Sequence, residues 1–286
     1  IMFVTPALFA LLGSAVAALW ARWRAVGALA AALWLGTAGL ALYSDYWNPA
    51  YFREDTASVA RFVEKQAGPD DVVLIDVPYP FDYYYRGQAP AHYLFVDINT
   101  VDQRLNELAA GRRQVFYVTW FKSDTDPRGA VPYLLSKAGT LEEERDFRGY
   151  HLARYRLLPQ AEFQLAGPWQ EVAANFGGAV AARAVSFGGA LDRPVWLAAR
   201  WERLGPTPLR LKASARLLDA EGRRLAQDDR PLLNDRHLRT PDWQPGDAPL
   251  GVYLLEPPPD APPGPYSVQL LVYDEVTGQP LPLLDP

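Results

Sequence analysis

The sequence predicts a multi-domain chain: two N-terminal transmembrane helices, then a small α/β domain, then an antiparallel β-sandwich. Three observations carry this. Residues 1–43 are almost wholly apolar and contain only Arg22 and Arg24 as charges. From about residue 48 to 158, amphipathic helical stretches alternate with short continuous apolar runs. After Pro159, apolar residues fall at every second position between proline-rich turns. The expected division is therefore 1–43, 48–158 and 160–286.

The first segment holds two uncharged runs, Ile1–Trp20 and Ala25–Tyr43. Each is about long enough to cross a bilayer, which needs roughly 20 apolar residues. A signal peptide is the competing reading of the first run. It lacks a basic leading region, and a second apolar run follows at once. The link Ala21-Arg22-Trp23-Arg24 places two arginines in a tight turn. Short arginine-rich loops stay on the cytoplasmic side, and Trp20, Trp23 and Trp47 suit the interface. A multi-pass cell-membrane location follows, with everything beyond Tyr43 extracytoplasmic. The chain opens inside apolar sequence, which leads to the expectation of a C-terminal piece of a longer polytopic protein.

In the middle segment, Val59, Phe62 and Val63 recur at helical spacing within Glu54–Ala67, and Gly68-Pro69 closes that helix. Val72–Ile75 is a continuous apolar run, as expected of a strand buried on both faces of a parallel sheet. Tyr93–Val96 and Val115–Val118 read the same way. Thr100 and Gln103 have the spacing of a capping box before a helix that Gly111 ends. Ala130–Ala138 is a further helix, and strands near Leu141–Phe147 and Tyr150–Leu157 pair around Arg148-Gly149.

The stretch PYPFDYYYRGQ, Pro78–Gln88, lies just beyond the carboxyl end of the first strand, where open α/β sheets bind ligands. Asp76, Tyr83, Tyr84 and Arg86 are therefore the candidate substrate-binding residues, with Tyr85 beside them. The alternative is that Tyr83–Tyr85 begin a helix and pack on the sheet or the membrane face with their hydroxyls wet. A row of aromatics points several ways, so packing is the weightier reading.

In the third segment Leu209, Leu211, Ala213, Ala215 and Leu217 alternate with polar residues. Val195–Trp201 and Tyr266–Val272 do likewise, the pattern of half-buried strands. PPPDAPPGP, Pro257–Pro265, is one of the turns between them. Trp169, Trp196, Trp201 and Trp243 have the chemistry to stack on sugar rings, but at least half belong in a sandwich core.

Catalytic signals are sparse. His92, His151 and His237 show no metal-binding spacing. Asp124-Thr125-Asp126, and Asp228-Asp229 with Asp235, lack the glycine and closing glutamate of a calcium loop and read as solvated turns. There is no cysteine, which excludes disulfides and thiolate metal sites. A net charge of −5 gives no nucleic-acid footprint. There is no phosphate-binding loop, dinucleotide fingerprint or nucleophile elbow. No cofactor, metal or catalytic residue is assigned.

Taken together, the apolar spans, Tyr46-Trp47-Asn48-Pro49, the GPDDVVLID strand and the tyrosine-rich segment resemble the C-terminal part of bacterial GT-C membrane glycosyltransferases. The likeness is to the ArnT/protein-mannosyltransferase-like, glycosyltransferase family 39-like group. LLDAEGRRLAQDDRPL, DWQPGD and PPGPYSVQLLVYDEVTGQPLP resemble a β-sandwich appended to some members. The resemblance implies sugar transfer from a polyprenyl-phosphate donor to an acceptor, a cell-surface glycan or protein, at the outer face of the membrane bilayer. In that family the catalytic acidic residues lie in an early extracytoplasmic loop, outside this chain. The fragment is accordingly expected to be non-catalytic. The alternatives are a membrane-anchored carbohydrate-binding module and a structural envelope protein.

Overall fold

A computed structural model describes residues 5–48, 54–121, 123–189, 193–262 and 264–284. Residues 1–4 of the first apolar run, and Pro49, lie outside the described residues. The chain forms two compact units, Ile1–Asp55 and Thr56–Pro286.

In the first unit, α1 (Thr5–Arg22) and α2 (Arg24–Trp47) are separated by Trp23 alone. They pack on each other through Phe9 and Trp34, with ring centroids 6.2 Å apart. Gly27 permits the close approach, because a Cβ there would lie 2.5 Å from the Trp20 backbone. Leucines such as Leu29, Leu33, Leu35 and Leu40 point outward. Helix α2 is long and apolar enough to cross a membrane, whereas the apolar stretch Ala7–Arg22 is shorter.

The second unit begins with α3 (Thr56–Gln66), β1 (Val72–Ile75), α4 (Pro78–Tyr84), β2 (Ala91–Tyr93), α5 (Val101–Ala109), β3 (Gln114–Trp120), α6 (Ala130–Ala138), β4 (Gly139–Phe147) and β5 (Tyr150–Leu157). These give a five-stranded sheet of order β2-β1-β3-β5-β4. β1 pairs in parallel with β2 and β3, and β5 runs antiparallel to β3 and β4. Val73 and Ile75 pack beneath α3 and α4, with Val59, Val63 and Phe81. Val72 and Leu74 pack beneath α5 and α6, with Leu105 and Leu134. Burial on both faces is why this strand reads as one apolar run.

Two local expectations are corrected. The second strand is Ala91–Tyr93, not Tyr93–Val96. β1 ends at Ile75, whose partner is Tyr93, so the ladder runs out while Leu94 and Val96 stay buried. The capping box does not form. Thr100 has φ −136° and ψ −3°, away from the extended backbone a cap needs, and its side chain makes no capping bond. The Asp97 carbonyl accepts the Val101 N–H instead, at 2.8 Å.

The chain continues through β6 (Gln170–Phe176), β7 (Val180–Gly188), β8 (Val195–Arg203), β9 (Leu211–Leu218), β10 (Arg224–Pro231), β11 (Leu250–Leu255), β12 (Ser267–Asp274) and β13 (Leu283–Leu284). They form a five-stranded sheet, β11-β8-β7-β6-β13, and a three-stranded sheet, β10-β9-β12, both antiparallel. Leu197, Ala199 and Trp201 of β8 face the core between these sheets, with Leu211, Ala213, Leu217 and Val272 opposite. Trp196 and Ala198, on the other face of β8, join the α5/α6 cluster together with Val252. The middle sheet is thus covered on both sides. The change of pattern at Pro159 is not a gap in the core: Phe163 and Leu165 lie in that same cluster.

Candidate functional site

Three elements converge on one cleft at the carboxyl ends of β1 and β3. This is the point where the chain reverses direction across the sheet, with β2 on one side of β1 and β3 on the other. Its volume is about 400 Å³, and its lining includes Asp76, Tyr117, Trp120, Asp126, Glu144, His151 and Arg230.

Asp76 follows β1 directly and is 2% exposed. The Trp120 N–H donates to its carboxylate at 3.0 Å, and its own N–H donates to the Val118 carbonyl at 3.2 Å. Burial pushes its pKa up, opposed in part by the hydrogen bond from Ser123. Asp126 accepts the N–H groups of Ala130 and Val131, both at 2.8 Å, and so holds the first turn of α6. Its pKa is also raised by burial, with Arg230 and Arg128 acting against the rise. Tyr117 has its pKa driven well up, first by burial and then by Asp126 and Asp76. On the opposite wall, His151 of β5 sits between two carboxylates: Nδ1 is 2.7 Å from Asp146 Oδ1, and Nε2 is 3.4 Å from Glu144 Oε1.

The cation of the cleft comes from the distant three-stranded sheet. Arg230 of β10 pairs with Asp228 at 2.8 Å. Its guanidinium lies against Gly129, where a Cβ would come within 2.7 Å of Nη1. Gly129 also has φ +69°, which glycine adopts without strain. Beside it the buried Arg128 donates from Nη2 to the Leu233 carbonyl at 3.0 Å and to the Asn234 carbonyl. The loop after β3 is thereby fastened to the β10 side of the unit.

The structure separates the residues singled out in the sequence. Asp76 lines the cleft, but Tyr83, Tyr84 and Arg86 do not. Tyr83 and Tyr84 stand on α4, 66% and 44% exposed, with their rings edge-on at 5.0 Å. Arg86 donates to the Asp82 and Tyr85 carbonyls at 3.0 and 2.6 Å, which occupies its guanidinium in closing α4. Tyr85 turns inward, stacks on Phe81 at 5.2 Å and donates to the Ala89 carbonyl.

Asp126 is a half-buried helix cap rather than the solvated turn residue expected, because the loop between β3 and α6 brings its carboxylate under the first N–H groups of α6. Asp228 is likewise spoken for, by Arg230 and the Leu254 N–H. Among the described residues, no three histidine or acidic side chains gather to hold a metal ion. Trp201 and Trp243 are core residues, each 1% exposed. Trp196 and Trp169 are half-buried and carry cations on their faces, Lys137 at 4.1 Å and Arg200 at 4.2 Å.

Glu144, His151 and Arg230 were not legible as a set. They sit on three different strands, and only the topology joins them.

Among its described lining residues the cleft offers the carboxylates of Asp76, Asp126 and Glu144 and the Arg230 guanidinium. That set suits a ligand rich in hydroxyl groups. Among the described residues, the His151 ring nitrogens meet carboxylates and not a hydroxyl.

No family model matches this chain, and no curated protein matches it. Among solved structures it is similar to a Bacteroides uniformis β-glucuronidase, with TM-score 0.28 and 10% identity over 47% of this chain and 18% of that one. It is also similar to β-glucuronidase 2 of the same organism covalently bound to cyclophellitol-6-carboxylate aziridine, with TM-score 0.25 and 12% identity over 49% and 19% of the two chains. The chain thus spans less than a fifth of either enzyme, and at these scores the likeness says nothing of what it does.

Proposed function

We propose that this chain is part of a GT-C type membrane glycosyltransferase that moves a sugar from a polyprenyl-phosphate donor to an acceptor outside the cytoplasm. In this reading α1 and α2 both span the membrane, Arg22 and Arg24 face the cytoplasm, and Thr56–Pro286 lies outside. Residues 48–158 are an α/β domain, and the two antiparallel sheets of 160–286 are a β-sandwich packed on it.

The observation that carries the proposal is α2, a 24-residue helix whose 20 residues between Arg24 and Asp45 carry no charge and whose apolar side chains point outward, in a chain that also holds a unit with a polar cleft. Such a helix would tether the second unit to the membrane in which a polyprenyl donor resides. The cleft places a hydroxyl-rich substrate, and bond-making belongs to other parts of the enzyme.

The test uses the product of the complete reading frame in liposomes with a polyprenyl-phosphate hexose. Sugar transfer is expected. The paired change Glu144→Gln and Arg230→Gln should raise KM about tenfold, or 1.4 kcal/mol, with kcat nearly unchanged. Absence of transfer, or transfer by Thr56–Pro286 alone, overturns the proposal.

A further inference from the structure

The second unit exposes seven large aromatic side chains among its described residues. Six of them lie at the carboxyl ends of β1, β2 and β3: Tyr93 is the last residue of β2, and Tyr79, Tyr83, Tyr84, Phe95 and Phe121 lie on the three connections that leave those ends. The seventh, Phe187, lies on β7 in the middle sheet. Solvated loops rarely gather rings in this way.

The chain also enters the unit at this edge. Thr56, the first residue of α3, is buried, and its hydroxyl donates to Tyr150 Oη at 3.1 Å. Tyr150 in turn pairs with Trp120, the last residue of β3. Only residues 48–55 separate this point from the end of α2, a tether of at most about 30 Å.

We infer that this aromatic edge rests in the headgroup region of the lipid bilayer, the site that tyrosine and other amphipathic rings favour. The inference rests on the reading that α2 spans a membrane. Arg86 and, in the turn whose Gly149 carbonyl accepts the Phe121 N–H, Arg148 are accompanied by Asp82, Asp97 and Asp146 among the described residues, so no excess of positive charge marks this edge and the rings supply the attraction. A bilayer of zwitterionic lipid is therefore sufficient.

The absence of native cysteine makes the test direct. Single variants Phe95→Cys, Phe121→Cys and, as the control, Phe187→Cys are made in the full chain. Each is labelled with a thiol-reactive fluorophore and reconstituted in phosphatidylcholine liposomes with or without a headgroup-region nitroxide lipid. All three positions are exposed, and unchanged thermal unfolding verifies the fold. Labels at 95 and 121 should lose more than about half their emission to the nitroxide, as rings at headgroup depth would, while the label at 187 keeps its own. Equal quenching at all three positions overturns the inference. A chain that resists carbonate extraction but whose edge labels stay wet overturns the docking alone. A chain that carbonate strips from the liposomes overturns the spanning reading as well.

Discussion

Replacing Asp126 with alanine is the sharpest test of how the cleft is built. The carboxylate receives two backbone N–H groups at 2.8 Å, from Ala130 and Val131, whose side chains are fully buried. Losing a side chain that caps a helix costs about 0.5–2 kcal/mol. Leaving a buried donor unpaired costs about 1–3 kcal/mol. Water entering the open cleft offsets part of this, so a loss of about 2–4 kcal/mol is expected. In a unit of about 230 residues, each kcal/mol shifts Tm by roughly 2–4 °C, which gives a fall of roughly 4–16 °C. Asp126→Asn keeps one acceptor oxygen and removes a charge that burial disfavours, so it should lose about half as much or less. Thermal unfolding of the full chain in detergent, followed by tryptophan emission, measures both. An alanine variant within about 2 °C of the parent, under 1 kcal/mol, would refute the capping role.

Two further outcomes follow from the same geometry. Asp76 has a native pKa raised above the ordinary 3.8, so its contribution to stability is complete below that value and is lost as pH rises through the native one. Asp76→Asn removes this dependence, and its Tm relative to the parent should therefore improve from pH 4 to pH 8; a constant difference across that range contradicts the assignment. Gly188→Ala would set a Cβ 2.4 Å from Trp196 Cζ2, in the cluster shared with α6, and should cost about 1–3 kcal/mol in the same unfolding assay.

Sequence periodicity located most elements, because burial dictates it. The run Val72–Ile75 and the alternation of Leu211–Leu217 each follow from how many faces of the strand are covered. β8 shows where this reasoning stops. Its alternation at Val195, Leu197, Ala199 and Trp201 identifies one buried face, yet Ala198 on the other face is fully buried too. Of the residues on that other face Trp196 is visibly apolar, but Ala198 is small and Arg200 is charged, so one tryptophan is all the pattern shows of the contact between α6 and the middle sheet. The cleft was half legible for a similar reason. Strand order places Asp76 at the reversal point, a local inference, whereas Arg230 arrives from a strand more than 150 residues later in the chain. Nothing in its neighbourhood, QDDRPL, tells that its guanidinium will lie against Gly129.

The tyrosine-rich stretch divides by helical arithmetic. Phe81 and Tyr85 are four residues apart, stack at 5.2 Å and close the core under α4. Tyr83 and Tyr84 fall between them on the turn and must face away. Tyr79 precedes the regular part of the helix, with φ −93° and ψ 129°, and also faces out. A row of rings therefore supplies both roles from one segment, the inward pair fixing α4 and the outward three remaining available to a partner. The hydroxyls follow the same division. Tyr85 spends its own on the Ala89 carbonyl, with its pKa raised to about 12 by burial. An outward phenylalanine would give a ring of similar size with no polar tip. Three outward tyrosines fit a surface that is apolar at one depth and wet at the next, which is the physical character of a bilayer interface.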